Sequence, residues 1–170
     1  MTRGPKLLLP LLIAFMPLAG CGDSEDATEK RLEKYARQHG ADVDVDYSQE
    51  HGVKSVTMKG EDGETKTAFG ENVGLPDGFP GDIAVYPGLK IFTSSTMPNG
   101  FLVQGHTGDG VDAVGVFFRD RMTGAGWSLA EQTESPGMHS YSFRKDGRTA
   151  TVVLVPGDTT TVQIVALSES

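Results

Sequence analysis

One amphipathic helix, set among segments of strand character, constrains the fold of this chain more than any other feature. Asp109 is predicted to cap its N-terminus, and Gly126 suits the left-handed residue that closes a helix, directly before Trp127. The apolar residues recur at spacings of three and four, which places them on one face: Val111, Val114, Phe118, Met122 and Ala125. A helix with one apolar face must bury it, so the surrounding strands are expected to form the sheet beneath it.

The C-terminal third alternates in hydropathy with period two, as expected of strands with one buried face. Two such runs flank Asp146-Gly147, a strong hairpin signal, and a last strand is predicted at 160–167. The predicted inward-facing residues are His139, Tyr141 and Phe143 before the turn and Ala150, Val152 and Leu154 after it. Together these segments predict an antiparallel meander.

The N-terminal part of the mature chain predicts a short helix followed by strands. Thr28 is a candidate N-cap, and the helix is expected to end at Gly40. Residues 42–47 then alternate valine with aspartate, as in a half-exposed strand.

Asp62-Gly63 predicts a β-hairpin between the runs 53–59 and 64–69. A two-residue turn at Asp62-Gly63 would pair Val56 with Phe69 and Met58 with Thr67. It would also place Lys59 opposite Lys66, a like-charge pair that disfavours this register.

Residues 74–88 contain three prolines and four glycines, which excludes a helix and favours an extended crossing segment. The predicted fold class is therefore α+β: an antiparallel β-sheet with one main amphipathic helix packed on it, preceded by a short helix and a β-hairpin. The predicted divisions are 1–20, 21–27 as a tether, 28–73 for the short helix and hairpin, and 74–170 for the α+β domain.

The first 21 residues have the pattern of a secretory signal peptide that ends in a cysteine. Arg3 and Lys6 precede an apolar run at 7–18, which is too short to span a membrane as a helix, and Leu18-Ala19-Gly20-Cys21 follows. This tetrad resembles the lipobox of bacterial lipoproteins. The resemblance implies cleavage before Cys21 and lipid, including palmitate-type acyl chains, on that residue. The alternative is an ordinary signal peptide with a chance cysteine near its end.

The lipobox resemblance also implies a location. In enteric Gram-negative bacteria an aspartate directly after the lipidated cysteine retains a lipoprotein in the inner membrane, and here that position is Gly22. We therefore expect a cell-envelope protein anchored to the outer membrane and facing the periplasm. In a Gram-positive host the same signal implies the outside of the single membrane.

From residue 74 onward the chain resembles a second group, small uncharacterised bacterial lipoproteins. The shared elements are Leu75-Pro76, Phe79-Pro80, Asp82, Tyr86-Pro87-Gly88 and Gly126-Trp127. This resemblance implies a fold but no chemistry. More distantly, the helix, Gly-Trp and three strands resemble the helix-grip domains of envelope-assembly lipoproteins.

Charge and motifs argue against several classes of function. The net charge of −8, or −10 once Arg3 and Lys6 leave with the signal, disfavours nucleic acid as a partner. The match of 108–113 to a dinucleotide fingerprint lacks the repeated βαβ context. The aspartates at 42–46 lack the glycine and glutamate of a calcium loop, and the histidines lack zinc-ligand spacing. We therefore expect no cofactor, no metal and no catalytic residue.

Two hypotheses of function remain beside a less favoured enzyme. The first is a non-enzymatic envelope lipoprotein that acts by contact with an unidentified envelope protein, anchored through its N-terminal lipid. The second is a small-ligand-binding lipoprotein, with a groove between helix and sheet lined by Tyr86, Trp127 and Tyr141. An exposed apolar patch on the sheet would favour the first, and an enclosed pocket the second.

Overall fold

The structure is a computed structural model that describes residues 25–38, 44–50, 53–60, 63–71 and 73–168. The lipidation candidate Cys21 and the predicted signal peptide lie outside the described residues, as do Gly40 and the Asp62 of the predicted turn. Within the described part of the chain, neither helix is long and apolar enough to cross a membrane.

Nine antiparallel strands form one sheet, with two helices in the described part of the chain. In chain order the elements are α1 (Glu25–Gln38), β1 (Asp44–Glu50), β2 (Val53–Gly60), β3 (Gly63–Gly70), β4 (Lys90–Met97), β5 (Gly100–Thr107), α2 (Val111–Gly124), β6 (Ser128–Ser135), β7 (Met138–Lys145), β8 (Arg148–Val155) and β9 (Thr160–Ser168). The strand order across the sheet is β1-β2-β3-β4-β5-β9-β8-β7-β6. The last strand therefore lies in the middle of the sheet, between β5 and β8.

The predicted fold class was wrong in its architecture, although the structure is broadly α+β. The N-terminal strands β1, β2 and β3 do not merely precede the sheet. They continue it, because β3 pairs with β4 across the 73–89 connection. The main helix α2 follows the fifth of the nine strands along the chain. Strands that precede the helix and strands that follow it therefore both contribute to the sheet.

The predicted register of the first hairpin was also wrong, by two residues. Val56 pairs with Thr67 and Met58 with Thr65, so that Lys59 faces Glu64. The Lys59 Nζ and Glu64 Oε2 atoms are 3.7 Å apart. The observed register replaces a pair of like charges with a pair of opposite charges, which is the more favourable cross-strand contact.

Both predicted N-caps were misplaced. Helix α1 begins at Glu25, three residues before Thr28. Helix α2 is preceded by Gly110 in an extended conformation, with no capping bond from a side chain. Asp109 instead accepts a hydrogen bond from another part of the chain, as described below, and its carboxylate is thereby withdrawn from the helix end.

The predicted apolar stripe of α2 is confirmed as the centre of the core. Val114, Phe118 and Met122 are fully buried against the sheet, and Val111 and Ala125 pack at its margin. Gly126 has φ +85°, the left-handed conformation predicted for it. Trp127 follows immediately and is only 2% exposed.

The predicted C-terminal meander is confirmed in register. Tyr141 pairs with Val152, Phe143 with Ala150 and His139 with Leu154. Strand β9 then pairs with β8 on one side and β5 on the other. The central strands thus place a continuous apolar surface beneath α2.

Truncation of Trp127 tests the contribution of this core. Because the ring is buried, Trp127→Ala should lower the free energy of unfolding by about 3–5 kcal/mol. The control is Leu129→Ala, since Leu129 is 38% exposed on the neighbouring strand and should cost far less. Urea unfolding followed by circular dichroism measures both. Equal effects of the two substitutions would contradict a core role for Trp127.

Candidate functional site

The three aromatic residues predicted to line a ligand groove lie in three different environments. Tyr141 is 1% exposed beneath α2. A Cβ atom built on Gly115 would lie 2.5 Å from the Tyr141 hydroxyl, so the helix backbone rests directly on this ring. The contact leaves no space for a ligand between α2 and β7 at this point.

The Tyr141 hydroxyl is held in a polar cluster at the edge of the helix. It donates a hydrogen bond of 2.9 Å to Glu134 Oε1, and the Arg119 guanidinium lies 5.7 Å from the ring centroid. Burial, with Glu134 next in importance, raises the pKa of Tyr141 to about 12. The phenol therefore remains protonated and serves as a hydrogen-bond donor, which is a structural role.

Trp127 occupies the opposite end of α2 and binds the connection between β3 and β4. Its indole Nε1 donates to the backbone oxygen of Asp82 at 2.9 Å. The Arg148 guanidinium lies 4.9 Å from the ring centroid, within cation–π range. Trp127 thus joins the core of the domain to a cluster of charged side chains.

Tyr86 is half-buried near the start of α2. Its hydroxyl donates to Asp109 Oδ2 at 2.9 Å, and its ring packs edge-on against Phe117 with centroids 5.0 Å apart. The hydrogen bond to Asp109, followed by desolvation, raises the pKa of Tyr86. The Asp109 carboxylate, which was predicted to cap helix α2, therefore binds the hydroxyl of Tyr86 instead.

Residues 73–89, here called the strap, lie alongside α2 over the sheet. The strap has no regular secondary structure, and backbone hydrogen bonds close three local turns at Phe79, Ile83 and Leu89. Its Ile83 is 4% exposed within the core. The Ala84 amide lies 3.3 Å from the Met122 sulfur of α2. The strap therefore fills space beside the helix that a groove would need.

Asp82 is the main polar attachment of the strap. Its carboxylate accepts two hydrogen bonds from the Arg148 guanidinium, at 2.7 and 3.0 Å, and one of 2.9 Å from Lys145 Nζ. Lys145 also donates to the backbone oxygen of Ala125 at the end of α2. We call Asp82, Trp127, Lys145 and Arg148 the Asp82 cluster. It connects the strap, the helix end and the β7–β8 hairpin.

The electrostatics of the Asp82 cluster favour its charged form. Hydrogen bonding to Arg148, opposed by desolvation and aided by Lys145, holds the pKa of Asp82 well below its usual range. The same bond raises the pKa of Arg148. The side chains of Asp82 and Arg148 are each 29% exposed, so solvent screens the pair to some extent.

Two cavities meet at Arg148. One is an open cleft of about 470 Å³ at the β7–β8 turn, and its lining includes Ser128, Arg144, Lys145 and Arg148. The other, of about 20 Å³, lies under the strap. Its polar lining residues are Arg148, Thr149 and Ser168, and its apolar ones include Pro80, Ile83, Phe101, Trp127, Ala166 and Leu167. A cationic cleft thus adjoins a small apolar space.

The sequence alone indicates no role for Lys145 or Arg148. Asp82 is predicted only as one element of the motif that resembles small bacterial lipoproteins. Lys145 and Arg148 flank the Asp146-Gly147 turn, and charged residues at a hairpin tip are ordinarily read as solvated. Asp82 is more than 60 residues away in the chain. No local pattern connects residues at that separation.

The histidines give no evidence of catalysis or metal binding. In the described part of the chain, no group of three or more His, Cys, Asp and Glu residues is placed to hold a metal ion. His106 stacks on Phe92, with centroids 6.0 Å apart. The Nδ1 atom of His139 is buried without a hydrogen-bond partner. His39 and His51 lie outside the described residues.

Comparison with known proteins gives one match. Residues 87–163 match the model of a family described as START domain-like, which covers under half of the chain. The matched segment runs from the end of the strap through α2 into β9. No curated protein and no solved structure matches.

Replacement of Asp82 tests the charged cluster through pH. Because the folded-state pKa of Asp82 is lowered, its contribution to stability is present above the unfolded pKa of about 3.9 and is lost as the pH falls through the folded value. Asp82→Asn should therefore destabilise the protein most above about pH 5, and the difference should shrink below about pH 4. Urea unfolding across this range measures the effect.

The matched control is Asp77→Asn, since Asp77 is an exposed carboxylate on the same strap. Its effect on the free energy of unfolding should be small, because the side chain is exposed. A constant difference between Asp82→Asn and the parent protein from pH 7 to pH 3 would contradict the ion-pair interpretation.

Proposed function

We propose that this protein is a lipid-anchored, non-enzymatic lipoprotein of the cell envelope that acts by contact with an envelope protein. The observation that carries the proposal is the sequence Leu18-Ala19-Gly20-Cys21 at the end of an apolar run of 12 residues, 7–18. Lipid on Cys21 would hold the domain at a membrane, and Gly22 points to the outer membrane with the domain facing the periplasm.

The sheet surface supports a contact role. Met138 and Val155 are 41% and 43% exposed, and the β7–β8 register places them side by side on the face opposite α2. These two side chains are available for contact with a partner at one end of the sheet. The acidic net charge of the chain indicates that direct contact with anionic lipid or nucleic acid contributes little.

Cys21→Ser tests the anchor. The hydroxyl is a weaker nucleophile than the thiolate, so the variant should incorporate no labelled palmitate and should accumulate as uncleaved precursor. Metabolic labelling with immunoprecipitation measures both properties. Ser24→Ala, three residues downstream, serves as the control and should be labelled normally. Normal labelling of Cys21→Ser would reject the lipoprotein proposal.

A second candidate function is the binding of a small ligand. The START domain-like match at 87–163 favours it, since that fold is associated with ligand binding. The groove originally predicted from Tyr86, Trp127 and Tyr141 does not support it, because Trp127 and Tyr141 are core residues.

Mass spectrometry of the protein, purified from its native membrane and then denatured, tests the second candidate directly. A bound small molecule should be released in about equal amount to the protein. If no small molecule is released from protein that still carries the N-terminal lipid, the ligand-binding candidate is wrong and contact with a partner remains the proposed function.

A further inference from the structure

We propose that the face of the sheet opposite α2 is an interface at which two copies of this chain pack face to face about a two-fold axis. The proposal rests on the proposed contact function and names the partner as a second copy of the chain. It is carried by the chemistry of this surface, here called the open face. The centre of the open face is formed by Leu102, Gln104, Thr151, Val153, Gln163 and Val165.

Strand register places the centre of the open face in the middle of the sheet. Two rows cross β5, β9 and β8: Leu102, Val165 and Thr151 in one, and Gln104, Gln163 and Val153 in the other. The alternate residues Val103, Val152 and Ile164 are fully buried on the α2 side, so these two rows point to the opposite side. Of the described helices, α2 packs on β6, β7 and β8, and α1 packs on the edge strand β1. The described helices therefore leave the centre of the open face uncovered.

The open face carries no carboxylate at its centre. The five adjacent strands β4, β5, β9, β8 and β7 contain no aspartate or glutamate, although the whole chain contains 23 such residues. The register of these five strands places two basic residues on the open face, Lys90 and Arg144, and both lie near strand ends. Copies of a chain with a net charge of −8 repel one another. A surface at which two copies meet must therefore be free of carboxylates, as this one is.

The side chains of the open face are of the kinds that can pair with themselves. In a two-fold interface, residues near the axis meet their own copies. Hydroxyl and amide groups both donate and accept hydrogen bonds, so Thr151 or Gln163 can bind its own copy, whereas two carboxylates or two ammonium groups would repel. Aliphatic residues such as Val165 can pack against each other, as between the sheets of a β-sandwich. This mixture suits a second copy better than a charged partner.

The exposed edge of the sheet at β6 disfavours the alternative, in which two copies pair edge to edge. Glu131 and Glu134 are exposed on this strand. Pairing of β6 with its own copy would bring these carboxylates close together, and charged side chains are a common means of preventing such pairing. The charge distribution therefore favours contact through the open face over contact through this edge.

The open face is large enough for a stable dimer. With strands about 4.8 Å apart and a rise of about 3.3 Å per residue, the five strands β4, β5, β9, β8 and β7 cover roughly 600 Å². Strands β3 and β2 continue the sheet and extend the surface to roughly 900 Å². A standard interface buries about 800 Å² on each partner. The exposed apolar side chains of Met138, Val155 and Leu167 also lie on this face and would be covered by the second copy.

Sedimentation equilibrium of the full chain tests the proposal, in a detergent that is matched in density to the solvent. The parent protein should sediment as a dimer that dissociates on dilution. Leu167→Glu should weaken self-association roughly tenfold or more, because it places an unpaired carboxylate against the second copy. Leu167 is 44% exposed, so this variant should fold normally. The matched control is Val116→Glu, since Val116 is 46% exposed on α2, on the other side of the sheet, and this variant should dimerise as the parent does.

A charge exchange at Gln163 distinguishes contact with a second copy from a loss of folding. Gln104 donates to Gln163 at 2.9 Å, and the two lie in the fifth and sixth of the nine strands across the sheet, so the axis should pass close to this pair. Gln163→Glu and Gln163→Lys should each weaken self-association roughly tenfold or more, because like charges meet near the axis. When the two variants are mixed with different affinity tags, opposite charges meet, and a mixed dimer should form with nearly the affinity of the parent.

Each alternative result has a distinct meaning. A parent protein that incorporates palmitate but stays monomeric at every concentration up to its solubility limit would overturn the inference and leave another envelope protein as the partner. Dissociation by Val116→Glu but not by Leu167→Glu would place the contact on another surface and overturn it as well. Failure of the two Gln163 variants to form a mixed dimer would overturn the two-fold arrangement. Dimerisation of a chain that incorporates no palmitate would support the interface and reject the lipid anchor.

Discussion

The ion pair of Asp82 with Arg148 and Lys145 is the interaction on which the arrangement around α2 depends. It joins a segment without regular secondary structure to the tip of the β7–β8 hairpin. The backbone oxygen of Asp82 accepts a hydrogen bond from the Trp127 indole. The charged side chains and the apolar core therefore meet at Asp82. A carboxylate that is only partly exposed and accepts three hydrogen bonds is well satisfied, and it gives the strap a defined position that its proline-rich backbone would not have alone.

This arrangement decides where a ligand could bind. Helix α2 packs so closely on β7 that Gly115 leaves no room above Tyr141. On the other side of the helix, the strap covers the sheet instead of a strand or helix, and Asp82 holds it there. The small apolar patch of Met138 and Val155, on the opposite face, is independent of the strap.

Local patterns in the sequence predicted most elements but not their assembly. The stripe of α2 and the Tyr141–Val152 register followed from periodicity and from the turn at Asp146-Gly147, since both depend on residues close in the chain. The predicted register of the β2–β3 hairpin was wrong because it depended on the turn signal of Asp62-Gly63. The contact of Lys59 with Glu64 favours the observed pairing instead. The prediction that Asp109 caps helix α2 was wrong because no local pattern indicates its partner Tyr86, which is 23 residues away in the chain.

By itself the sequence determined the apolar face of α2, the C-terminal meander and the irregular course of the strap, because periodicity, glycine and proline act over a few residues. Only the tertiary structure decided that the N-terminal strands extend the same sheet and that the strap fills the space of the predicted groove. The tertiary structure alone also decided that Arg148, rather than another basic residue, is the main partner of Asp82. These features depend on groups that are distant in the chain, and their free energies are decided by burial and geometry that local spacing does not encode.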